Sequence, residues 1–386
     1  MKISDYVESQ IKGLWGTDFD ENGIPVIKTN NLTYEGHIDY SDICKRNITR
    51  EHAKECYLKP GDLLIEKSGG TKTHSVGYVS YFEGDENKFV CNNFILALRL
   101  KNTINSKFLF YQIQFKYESN QFSDCFNKTT GIQNLKVKDY LAKEIKIYSP
   151  EEQEKIVKEL DTVRSTINKN KQILEKYDTL IKSRFIEMFG TENDFSKWNC
   201  CFVEDVADVT VGVVIKPTQY YCEKGIPAFR SLNIGEMKVN DSDWVYFTEE
   251  GNEKNRKSIL KENDVLVVRS GAPGKSCVIT KKYEGYNVVD AIIAHPNLEK
   301  VNPVFLCMFT NMPHGMNQIK AKTGGAAQQH FNVGGYNSLK IILPPLSLQN
   351  DFAAFVQQID KSKFAVQKSL EKTETLYKSL MQLYFA

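Results

Sequence analysis

The chain repeats itself. GIPVIKTNN at 23–31 aligns with GIPAFRSLN at 225–233, an offset of 202 that still holds at KPGDLLIEKSGG (59–70) against KENDVLVVRSGA (261–272). After each copy the pattern turns helical. PEEQEKIVKEL from Pro150 aligns with LSLQNDFAAFV from Leu346 at an offset of 196, without a gap to Met188-Phe189 against Tyr384-Phe385. A tandem repeat of this size predicts two similar domains and two similar helices related by an approximate two-fold axis. The boundaries read as 1–149 for the first globular copy, 150–190 for a central helix, 191–345 for the second copy and 346–386 for a C-terminal helix. Short β-rich segments such as Asp62–Glu66, Asp264–Val268 and Phe94–Leu100 accompany stretches at Lys107–Tyr117 and Asn302–Asn317 that read as helical or buried, so the fold class is α+β.

The 386 residues, 41% hydrophobic and 25% charged, are enough for two cores. No apolar run reaches the roughly 18 residues of a membrane span, and Met1–Gln10 lacks the apolar region of a signal peptide. The nine cysteines form no C-x-x-C pair, and Cys200–Cys201 is a vicinal pair poorly suited to a structural disulfide. A cytoplasmic protein with reduced thiols and no membrane partner is the expectation. Net charge is +2, and none of the four segments departs from neutrality by more than one charge. A generic basic nucleic-acid-binding domain is thereby excluded. Any phosphate contact must come from local clusters or from a partner protein.

No Gly or Pro interrupts Glu151–Phe189. Ile156, Leu160, Val163, Ile167, Leu174, Tyr177, Ile181 and Met188 keep a heptad alternation with Asn170 as its polar member. Shifted by 196, the seam reads Phe352, Val356, Ile359, Lys363, Val366, Leu370, Thr373, Tyr377, Leu380 and Tyr384. Five heptads of this spacing predict a coiled coil. At 1.5 Å per residue each helix makes a rod of roughly 58 Å, longer than a 150-residue domain is wide. Packing against the repeat partner is the economical arrangement, and the two-fold makes that pair antiparallel. Asn170, Lys363 and Thr373 would help set its register. The alternative is that each helix packs on its own domain.

Three loops recur in both copies. The first is Lys28-Thr29-Asn30-Asn31, matched by Arg230-Ser231-Leu232-Asn233. The second carries Lys67, Ser68, Gly69, Thr71 and Lys72, matched by Arg269, Ser270 and Lys275 around Gly271 and Gly274. The third carries Lys128, Thr129, Thr130, Gln133 and Asn134, matched by Lys322, Thr323, Gln328 and Gln329. Glycines admit close backbone approach, Lys, Arg, Ser and Thr supply phosphate donors, and Asn, Gln and Arg can form paired hydrogen bonds with base edges. Singly each loop is an ordinary surface turn; together they mark candidate DNA-binding residues, although shared fold constraints would also make them recur.

No catalytic constellation is visible. Asn302-Pro303-Val304-Phe305 resembles the Asn-Pro-Pro-Phe motif of amino-methyltransferases but lacks its second proline, and a helix start is the better reading. Asp62 with Glu66-Lys67 lacks the Glu-x-Lys spacing of a metal-dependent nuclease, and Val268 stands opposite Glu66 in the repeat. The six histidines show no metal-ligand spacing, and neither a P-loop nor G-x-G-x-x-G is present. His330, after Gln328-Gln329, reads equally as a binding or a structural residue. Binding rather than catalysis is the expectation.

GIPAFRSLNI (225–234), NDVLVVRSGAPG (263–274), TGGAAQQ (323–329), PPLSLQNDFAAFVQQID (344–360) and KSLEKTETLYKSLMQLYF (368–385), in this order and duplicated, resemble the specificity subunits of Type I restriction–modification systems. The resemblance covers essentially the whole chain. It implies two target-recognition domains, each reading one half of a split site in double-stranded DNA, and a helix pair acting as a ruler. It further implies docking of two methyltransferase subunits and of translocating restriction subunits. Catalysis, with S-adenosylmethionine, ATP and Mg, would belong to those partners, and this chain would hold no cofactor of its own. The first copy departs from the pattern, with a shorter lead-in before Lys2 and TTGIQN in its third loop. Two rivals are a non-DNA coiled-coil scaffold and the recognition part of a single-chain restriction–methylation enzyme.

Overall fold

A computed structural model describes residues 1–71, 74–128, 132–323 and 330–386, Lys128 and Phe195 by backbone alone. They form two compact units, Met1–Lys171 with Lys368–Ala386 and, separately, Gln172–Gln367. The repeat extends to topology. In the first unit Val7–Ile11, Ile95–Leu100, Leu63–Glu66 and Val79–Tyr81 lie side by side in that order, all antiparallel. In the second, Ala207–Val211, Ala291–Pro296, Val265–Val268 and Ser276–Val278 repeat the order.

Every residue of Leu63–Glu66 and Val265–Val268 is buried, because each central strand has a core on both faces. Leu63 and Ile65 join one apolar cluster and Leu64 another; Val265 and Val267, against Leu266 and Val268, divide likewise. A smaller sheet backs each of these. Phe19–Ile27 pairs antiparallel with Cys44–Arg46 and parallel with Val90–Cys91. Ile226–Phe229 pairs antiparallel with Val245–Phe247 and parallel with Asn287–Val288. The fold is α+β, as the pattern of segments predicts.

The expected helix at Lys107–Tyr117 is Ser106–Glu118, capped by the Asn105 carboxamide, which accepts from the Lys107 and Phe108 amides at 3.0 and 3.1 Å. Its counterpart is broken into Pro303–Asn311 and Pro313–Thr323, since Pro313 can neither donate to the preceding turn nor tolerate a helical residue before it. Asn302 caps the first piece, accepting from the Val304 amide at 2.9 Å. The Asn-Pro motif is a helix start. In the first unit the Ile3 amide donates to the Lys143 carbonyl where Cys200–Phe202 pairs with Lys340–Ile342 in the second.

The long helices are Pro150–Phe189 and Leu346–Phe385, 40 residues each. Ser149 and Glu152 cap the first reciprocally, at 3.0 and 3.3 Å. One buried glutamine in the first turn of each ties it to its module. Gln153 Oε1 accepts from the Asn105 amide at 3.0 Å while its Nε2 donates to the Tyr148 carbonyl at 2.9 Å. Gln349 accepts from the Asn302 amide at 2.9 Å and donates to the Pro344 carbonyl at 2.8 Å.

Inside each unit the helix segments run antiparallel. In the first, Glu159 meets Tyr384 and Asn170 donates to Ser369 at 3.3 Å. In the second, Lys363 pairs with Asp178 at 2.5 Å and Phe185 packs against Phe352. Asn170 and Lys363 thus make cross-helix bonds, whereas Thr373 bonds back to the Ser369 carbonyl of its own helix. The periodic reading misplaces the ends of the apolar stripe. Met188 is only half-buried, and the side chains that anchor the ends are Phe185, Phe189, Met381 and Phe385, all within the domain cores. An undistorted helix drifts out of a strict heptad frame, and here the frame gives way to packing on the modules. Ile156, Leu160, Ile167, Ile181, Phe352, Val356 and Leu370 are buried; Val163, Leu174, Tyr177, Ile359, Val366, Tyr377, Leu380 and Tyr384 are half-buried.

Candidate nucleic-acid interface

The first recurring loop is a single 3-10 turn in both units, Thr29–Asn31 and Ser231–Asn233. Its asparagine closes the turn. Asn31 Oδ1 accepts from the Lys28 amide at 2.9 Å, and its Nδ2 donates to the Asp39 and Asp42 carbonyls at 3.1 Å. Asn233 does the same with the Arg230 amide and the Asn240 and Ser242 carbonyls, at 2.9, 3.2 and 2.7 Å. Only 3% and 0% of these residues are exposed, and both ends of each carboxamide are in use. Asn31 and Asn233 therefore hold the backbone and have no free hydrogen bonds for a base edge, a correction to their reading as DNA contacts. Thr323 is corrected likewise: it is buried in the last turn of its helix and donates to the Ile319 carbonyl at 3.0 Å.

Four cations of these loops already have side-chain or carbonyl partners. Lys28 pairs with exposed Asp42 at 3.1 Å, Arg230 donates to the Asp243 carbonyl, Lys322 donates to Ser338 at 2.8 Å and Arg269 pairs with Asp290 at 3.0 Å. Local acids thus accompany Lys28 and Arg269 in a chain without segmental charge. A phosphate would reach Lys28 by displacing Asp42, a solvent-exposed ion pair of small worth. Asn30, Thr71, Asn134 and Lys275 are exposed.

The second loop is joined to the third in the first unit and to the residues just after the third in the second. In the first, Ser68–Gly69 pairs with Gln133–Leu135, which pairs with Phe126–Lys128. Ser68 Oγ donates to Asn134 Oδ1 at 2.7 Å, and Gln133 Oε1 accepts from the Val76 amide at 3.2 Å. Gly69, at φ 134°, sits where a Cβ would lie 2.5 Å from Glu66 Oε1. In the second unit the Phe331 amide donates to the Arg269 carbonyl at 2.9 Å, and Ser270 Oγ and His330 Nδ1 form a 2.8 Å hydrogen bond. Lys67 and half-buried Arg269 directly follow the central strands and so stand beside the rigid part of each module. Lys72, Thr129, Thr130, Gln328, Gln329 and the Lys128 side chain lie outside the described residues.

The first loop joins this group through aromatic rings. Tyr34 stacks on His74 at 3.8 Å and packs on Tyr78 at 4.6 Å, and the Tyr78 hydroxyl donates to the Thr29 carbonyl at 3.4 Å. Glu66 lies beneath, its carboxyl pushed above the usual range by burial, with the Gly70 amide pulling it back. Asp62 is turned away, ion-paired with Arg99 at 2.7 Å, so Asp62 and Glu66 do not converge as in a nuclease. Sequence reasoning missed the Tyr34–His74 stack and Asp290. Asp290 lies 21 residues from Arg269, and no periodicity links them.

Residues 3–176 and 196–374 match the family model described as Type I restriction modification DNA specificity domain. A Methanocaldococcus jannaschii protein bearing the name of specificity subunit of the type I restriction enzyme MjaX is 24% identical, over 94% of this chain and 87% of that protein. The crystal structure of a Type-I restriction-modification S subunit from M. genitalium superposes with a TM-score of 0.62 at 15% identity, covering 100% of this chain and 95% of that one. A structure reported for complex assembly and conformational transition of the type I R-M system gives 0.51 at 14% identity, covering 100% and 96%.

Proposed function

Because this chain belongs to the Type I restriction modification DNA specificity family and is the specificity subunit of such a system, we propose that each of its modules reads one half of a split duplex target. The observation that carries this reading is the duplicated convergence of loops: at the end of a buried central strand the second loop is bonded to the third loop in the first unit and to the residues that directly follow the third loop in the second. Rigid strands aim such loops better than free loops aim themselves. Base choice then rests on side chains that differ between the modules, on a scaffold that does not.

Methyl transfer and cleavage belong in this proposal to partner subunits, which would bring S-adenosylmethionine, ATP and Mg. The chain itself acts without catalysis and docks those subunits through its helices and modules. Methylation sequencing of DNA from cells carrying the chain with its methyltransferase partners tests the reading. An interrupted motif of two short half-sites is expected. A single uninterrupted motif, or methylation without sequence preference, would overturn it.

A further inference from the structure

We infer that Arg269 reads a guanine in the half-site of the second module, and that Asp290 is the residue that positions it. The inference rests on the proposed reading of DNA by the modules and adds a residue and a base to it.

Arg269 follows the buried strand Val265–Val268, and its carbonyl is held by the Phe331 amide at 2.9 Å. Its side chain is 17% exposed, so most of the stem is already ordered. Nη1 donates to Asp290 Oδ1 at 3.0 Å, and Nε is buried without a hydrogen-bond partner among the described residues. Asp290 is fixed in turn. It occupies the left-handed region at φ 48°, its amide donates to the Val213 carbonyl at 3.2 Å, and the adjoining Val289 amide donates to the Phe229 carbonyl at 2.8 Å. It stands where the chain leaves the smaller sheet at Asn287–Val288 and enters the larger at Ala291–Pro296.

A guanidinium has five N–H donors in a planar fork, and the aspartate takes one of them. With Nε buried, three donors remain on Nη1 and Nη2, enough to present a pair with a carboxylate beside it. A phosphate brought to that place would meet the charge of Asp290, so a neutral partner with two acceptors is favoured. Guanine alone among the bases offers two acceptors, N7 and O6, on its major-groove edge; adenine offers an acceptor and a donor. The first module lacks the device. Lys67 stands in place of Arg269, and Asn92-Asn93-Phe94 takes the place of Val289-Asp290, with the Phe94 carbonyl accepting from the Lys67 amide at 2.7 Å.

The test uses the full chain assembled with its methyltransferase subunits, and duplexes carrying its own interrupted motif. 7-Deazaguanine at one guanine of one half-site should weaken binding of the wild-type complex about ten- to hundredfold. The same replacement should cost the Arg269→Ala complex almost nothing, while its preferences at the other positions survive. Should that variant fail to fold, Arg269→Lys, which keeps the charge and loses the fork, serves instead. Asp290→Asn should lower the preference for that guanine and steepen the salt dependence of binding, because the released cation turns to phosphate. Asp290→Glu should restore part of the preference, which repair of mere stability would not do. A second half-site without guanine, or Arg269 variants that weaken all positions alike, would overturn the assignment and leave the two-half reading standing. A wild-type complex without any sequence preference would sink both.

Discussion

Asn31 and Asn233 show how one residue in each module can recur for the backbone's sake. Replacing Asn233 with Ala strips partners from the half-buried Arg230 amide and from two carbonyls. Water reaches part of these groups, so the loss is about 1–3 kcal/mol in all, and a clear fall in melting temperature is expected. Asn30→Ala, at an exposed position, should leave the melt unchanged. The repeat made both asparagines legible as important, yet recurrence does not distinguish a turn lock from a base reader. Burial does, and burial depends on the Asp39–Asp42 and Asn240–Ser242 segments that fold over them. Glu66 carries a second prediction. Its carboxyl is raised mainly by burial, so with rising pH the unfolded chain releases this proton before the folded chain does. Wild-type stability therefore falls as the pH rises above the ordinary carboxylate range. Glu66→Gln removes the dependence, and its melting temperature relative to wild type should improve as the pH rises through that range.

Among the elements, the long helices were largely readable: their extent, antiparallel sense and the cross-helix partners at Asn170 and Lys363 follow from the 196-residue offset and the heptads. Their anchoring was not. Phe185, Phe189, Met381 and Phe385 fall outside the heptad frame and are buried by the modules, a packing that periodicity along one helix does not contain. Phe385 meets Phe108 and Phe115, so Phe385→Ala should destabilise the first unit by about 3–5 kcal/mol in denaturant unfolding. Leu370→Asp, at a buried position, should be severe, and Leu174→Asp, half-buried, milder. Equal losses from the two aspartates would mean that the pair is sealed evenly along its length.

At the scale of the whole molecule, we propose that helix length sets the gap between half-sites while the loops set the bases. One matched heptad added to both helices, after Asn168 and after Phe364, keeps the seam and adds about 10 Å at 1.5 Å per residue. The methylation motif should keep its half-sites and widen its gap by roughly three base pairs, with some activity lost to the rotation of the duplex. A constant gap, or altered bases, would exclude that division of labour. The division of the chain into units bears on synthesis too. The second unit is one unbroken stretch, Gln172–Gln367, whereas the first is closed by Lys368–Ala386. At 5–20 residues per second the ribosome needs roughly 10–40 s to pass from Lys171 to Lys368. During that interval Phe108 and Phe115 wait without Phe385, and the later module can fold before the earlier one is complete. The nascent chain thus carries an uncovered aromatic surface for much of its synthesis, and chaperone demand falls on the part that was made first.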